Sequence, residues 1–139
     1  MRDGVADLRR LCSTPAGTGL LLAATGLAVW MGLSLWAGFS SGEEFRLREA
    51  WDATPYFYVG LPVMVLAVTV AAFEQPQRAW HWPIWLVAGH QLGVLIVGLG
   101  MQSEFSLFIL TLILAIMLAA FLAVPAMLGA FAARIFARA

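Results

Sequence analysis

Four stretches without a charged residue divide this chain of 139 residues: Leu11 to Gly42, Ala53 to Phe73, Ala79 to Ser103 and Phe105 to Ala133, each between 21 and 32 residues long. The hydrocarbon core of a bilayer is about 30 Å thick, and about 20 apolar residues of helix cross it. The expected fold is therefore an all-α integral membrane protein, a four-transmembrane-helix antiparallel bundle with spans over about 15–40, 55–74, 80–101 and 105–134. The longest polar connection, Gly42 to Thr54, leaves no room for a soluble unit, so residues 1–139 read as a single membrane domain. Charged residues make up only 12% of the chain, about half the share usual in soluble proteins.

The eight basic residues, all arginine, set an orientation. Arginine near span ends is retained on the cytoplasmic side. With the N-terminus inside, that side holds Arg2, Arg9, Arg10, Arg78, Arg134 and Arg138, against Arg46 and Arg48 opposite. Both termini are accordingly expected in the cytoplasm, and the chain in a bacterial inner membrane. Arg9 and Arg10 before an apolar run imitate a secretory signal, but the run exceeds the roughly 7–15 apolar residues of such a signal, so the first span reads as a retained helix. A net charge of zero offers no footprint for nucleic acid. The single Cys12 has no partner within the chain for a disulfide.

Local signals place the connections. Thr14 and Pro15 suit the cap and first position of span one, whose Gly19, Ala23, Gly26 and Ala37 share a face. Its Trp30 and Trp36 lie toward the outer half. Ser41-Gly42-Glu43-Glu44 has the spacing of a capping box. The residues after it pair Glu44 with Arg48 and Leu47 with Trp51, so a short interfacial helix is expected over 43–52. Thr54-Pro55 opens span two, with Tyr56 and Tyr58 at the headgroup level and a bend at Pro62. Glu74 to Arg78 makes a short inner connection that joins spans two and three as a hairpin. Trp80, Trp82 and Trp85 then read as an aromatic belt. In span three, Gly89, Gly93 and Gly100 fall on one side of the helix, and Gly89-x-x-x-Gly93 permits close backbone approach. In span four, Ala115, Ala119, Ala126, Ala130 and Ala133 share a face. The expected pairing sets the glycines of span three on the alanines of span four, with Pro125 bending the latter.

Chemistry has few places to reside. His90 and Gln91 lie near the middle of span three, where polar groups are costly and mark sites or interhelical hydrogen bonds. His81 and His90, nine residues apart, fall on opposite faces and about 13 Å apart along a helix, so they cannot clamp one haem iron. No zinc spacing, nucleophilic triad, phosphate loop or pair of embedded carboxylates occurs. No catalytic, metal or cofactor-binding residue is therefore designated, no cofactor is expected, and the chain does not read as an enzyme. The leading reading is a structural or accessory subunit acting by helix packing in a homo-oligomer or larger membrane complex. Its partners would be the lipid bilayer and itself or other membrane subunits. The alternative is an oligomeric small-molecule or ion carrier or channel with His90 and Gln91 on the path. A third is a haem- or quinone-associated redox subunit completed by another chain.

Overall fold

The computed structural model describes residues 14–40, 49–50, 54–100 and 105–138. Four helices are long and apolar enough to cross a membrane. They are α1 (Pro15–Ser40), α2 (Leu61–Glu74, preceded by a π-helical turn Tyr56–Gly60), α3 (Trp82–Gly100, preceded by a 3-10 segment Pro76–His81) and α4 (Phe105–Phe136). Their outward side chains are large and apolar, among them Leu20, Phe39, Leu66, Leu99, Leu128 and Phe131. The expected interfacial helix over 43–52 lies outside the described residues except for Glu49 and Ala50, of which Ala50 is buried.

The start of α1 follows from Thr14, whose Oγ1 accepts from the Gly17 N–H at 3.1 Å, with Pro15 in the first turn where its missing donor is harmless. Ahead of α2, Leu61 donates its N–H to the Tyr56 carbonyl, an i to i−5 bond. The next residue, Pro62, removes a donor and crowds the carbonyl four residues back. The bend expected at Pro62 thus takes the form of a widened turn that holds Tyr56 to Gly60. Between α2 and α3 the chain tightens into the 3-10 segment, broken at Arg78 (φ −117°, ψ 17°). Gln75 ties this corner to α1 by donating its Nε2 to Thr18 Oγ1 at 2.8 Å. Helix α4 runs through Pro125 without interruption.

The helices pair in a way that differs from expectation. The most extensive contacts are α1 on α3 and α2 on α4, with α3 on α4 next; sequence neighbours α1 and α2, and α2 and α3, touch far less. Along α1 and α3 the matched positions climb together: Gly19 lies under the Trp85 ring, Gly26 against the Leu86 carbonyl and His90 N–H, and Gly93 under Trp30. The two helices are therefore parallel. So are α2 and α4, where Gly129 meets Thr69 and the Phe73 and Phe136 rings sit 6.2 Å apart.

The glycine stripe of span three thus packs on span one, which corrects the pairing with the alanines of span four. A Cβ at Gly89 would overlap the Ala23 carbonyl, and one at Gly26 the Leu86 carbonyl. Two thin faces meet here, backbone on backbone. Lipid tails are as apolar as the helices, so burial alone drives little association, and such close packing holds the pair instead. The inward face of α4 is thicker. Leu122 interrupts Ala115, Ala126 and Ala130, all buried, with Ala119 packed beside them, and the most extensive contacts of α4 with a single helix are those with α2. Gly100 ends α3. The short corner after Glu74 does not make α2 and α3 packing partners, because the 3-10 segment carries the chain onto α4 before α3 begins.

Candidate functional site

The lock between α1 and α3 fixes how α3 is rotated. With Gly89 and Gly93 held against α1, the residue after Gly89 turns about 100° further round the helix, into the bundle. His90 is 1% exposed. Its Nε2 lies 3.0 Å from the Tyr56 hydroxyl, and the Trp30 ring meets the imidazole edge-on with centroids 4.7 Å apart. Trp30 and Tyr56 are themselves in an edge contact at 6.1 Å. Three aromatic rings from α1, the π-turn and α3 thus converge at one point.

The hydrogen bond admits either tautomer. If the Tyr56 hydroxyl donates to Nε2, the imidazole hydrogen sits on Nδ1; if Nε2 donates to the hydroxyl, Nδ1 is a bare acceptor. In both, Nδ1 is buried and has no hydrogen-bond partner among the described residues, and the same holds for Ser34 Oγ. Most buried polar groups have a partner, so a polar atom left this way calls for a reason.

Gln91, half-buried, points to a different neighbour and donates its Nε2 to the Thr111 carbonyl of α4 at 3.4 Å. His90 and Gln91 therefore belong to one region but serve two contacts, the first toward the π-turn and the second toward α4. Between them lies a cavity of about 570 Å³, lined by Glu49, Tyr56, Phe57, Leu61, His90, Gln91, Leu110, Thr111, Leu114, Met117, Leu118 and Phe121. Phe57, Leu110, Met117 and Phe121 are also exposed on the outside of the bundle. The cavity consequently opens sideways, between the π-turn and α4, onto the apolar surface. It combines an apolar body with a few convergent polar groups, as small-molecule sites of about 300–1,000 Å³ do.

Other expected features fall elsewhere. His81 stacks on Trp80 with centroids 3.6 Å apart, in the corner before α3 and away from His90. Among the described residues no three His, Cys, Asp or Glu side chains group as metal ligands would. The three tryptophans do not act alike as a belt: Trp80 is exposed, Trp82 is buried, and Trp85 covers Gly19.

Tyr56 is the residue of this candidate site that the sequence reading missed. A tyrosine just after a span-opening proline resembles a headgroup anchor, as Tyr58 does with its side chain outward. The available signal was indirect. A histidine at mid-span needs a partner, and the distorted turn announced by Gly60 and Pro62 is the kind of element that redirects a side chain inward. Compared with protein families, with curated proteins and with solved structures, the chain finds no match in any of the three.

Proposed function

We propose that the protein binds a membrane-soluble small molecule in the lateral cavity between the π-turn, α3 and α4. This reading differs from the oligomeric carrier or channel drawn from the sequence and keeps only its two polar residues, His90 and Gln91, now at a bound molecule rather than on a path. The supporting observation is the cavity of about 570 Å³ whose polar wall is the Tyr56–His90 pair with Gln91 and Thr111 and whose open side is apolar. The test is native mass spectrometry of protein released from lipid discs, followed by extraction of bound molecules. Wild type should carry an apolar molecule at one per chain, and Leu114→Phe, which places a ring in the cavity, should lose most of it. Equal occupancy in both, or none in either, would remove the reading.

The accessory-subunit reading keeps one observation of its own. The Gly19, Ala23 and Gly26 face of α1 is occupied by α3. A second small-residue row on α1, Ala24, Ala28 and Gly32, is exposed, and a Cβ at Gly32 would meet nothing within 4 Å. This row is suited to a second copy of the chain.

The orientation proposed is both termini in the cytoplasm of a bacterial inner membrane, supported by six arginines against two. An alkaline phosphatase fusion after Ala139 should be silent, and a green fluorescent fusion there should fluoresce. The reverse pattern would invert the protein.

A further inference from the structure

We infer that the molecule held in the lateral cavity is a neutral lipid whose head presents hydroxyl or carbonyl oxygens and whose hydrocarbon tail leaves through the open side. The inference rests on the binding reading above and names the class of ligand. Among the described residues that line the cavity, no arginine, lysine or other cation is present, and the one charged side chain is Glu49. An anionic head, phosphate above all, is recognised by arginine forks, ammonium groups or converging backbone N–H donors. No such side chain is among the described residues that line the cavity.

The polar wall has a different character. The Tyr56 hydroxyl, the His90 imidazole, the Gln91 amide and Thr111 supply uncharged donors and acceptors to a lining that is, Glu49 apart, aliphatic and aromatic. A hydroxyl or carbonyl oxygen pairs with such groups without bringing a charge into a low-dielectric site, where an unpaired charge is expensive. The volume suits a ring or a short chain segment rather than a whole lipid. The exposed Phe57, Met117 and Phe121 at the opening give the remaining tail an apolar exit. Within this wall Tyr56 has a second task beside reading the head. It fixes the His90 ring by the 3.0 Å bond, and Trp30 backs that ring from α1.

A quinone carrying a decyl chain tests the proposal, because quinones quench tryptophan and Trp30 touches His90. Titrated into the full-length protein in neutral detergent, it should quench saturably, and Leu114→Phe should abolish the saturable part. Displacement is then read with four ten-carbon probes: decanol, decane, decyl phosphate and decylamine. Decanol should displace the quinone at least tenfold better than the other three. Tyr56→Phe removes a single oxygen and should shrink the preference of decanol over decane about three- to tenfold, which is the loss of roughly one hydrogen bond. An equal loss for both probes would make Tyr56 merely structural and overturn the head-reading role. Displacement by decyl phosphate or decylamine as good as by decanol would overturn the ligand class while leaving a binding cavity. If the quinone does not quench saturably and no probe stabilises the protein against heat, the cavity is not a site and both proposals fall.

Discussion

At the scale of single residues, the same glycine means different things by what stands opposite it. Gly89 has the Ala23 backbone in the place of any side chain, whereas Gly32 has open space. Gly89→Leu should therefore cost about 3 kcal/mol, the upper part of the usual overpacking range, since a carbonyl cannot swing away as a side chain can. Gly32→Leu should stay within about 0.5 kcal/mol for the isolated chain. Thermal unfolding of both variants in one detergent checks the contrast, and a shared large loss would show that α1 is packed differently. Both glycines are plain in the sequence, and so were His90 and Gln91 as polar groups set in apolar surroundings. Tyr56 was not legible as part of the site, because its role depends on a contact 34 residues away. A pattern read along the chain reports which way a side chain faces and is silent on what comes to meet it.

Helices and turns show the same division between face and partner. The small-residue stripes of α1, α3 and α4 could be read on a helical wheel, but a wheel does not say which stripes mate. Thickness decides it. The Gly26 and Gly89 backbones approach closely, while Leu122 holds the α4 face further out and leaves it to α2, with Gly129 taking up Thr69. Short connections also misled, since five residues from Glu74 to Arg78 look like a hairpin turn yet carry the chain past α4. The pairing can be tested with cysteines at Phe73 and Phe136, whose rings lie 6.2 Å apart, after Cys12→Ser removes the native thiol. A short bis-maleimide should join the two positions within one chain in high yield. No intrachain product, in a variant that unfolds at the wild-type temperature, would mean that α2 and α4 are not parallel neighbours.

For the molecule as a whole, the number of helices was the most legible property, because bilayer thickness sets it and four uncharged runs meet it. Which surfaces remain for a partner was least legible, because that is known only after the internal contacts are subtracted. With Gly19, Ala23 and Gly26 covered by α3, the small residues of α1 left open are Ala24, Ala28 and Gly32, one helix side further round. Small residues at every fourth position let two helices approach until backbones touch, which is a main source of attraction between helices in lipid. The row is bordered by the exposed Leu20, Leu35 and Trp36, which would close around a second copy related by a two-fold axis. Gly32→Cys in the Cys12→Ser background should therefore form a disulfide dimer in native membranes on mild oxidation. Gly32→Leu should shift native mass spectra from dimer to monomer while the unfolding temperature of the monomer holds. If Gly32→Cys stays monomeric at several protein concentrations and Gly32→Leu changes nothing, the row faces lipid alone. The proposed dimer then falls, and the lateral cavity remains the one proposed site of a single bundle.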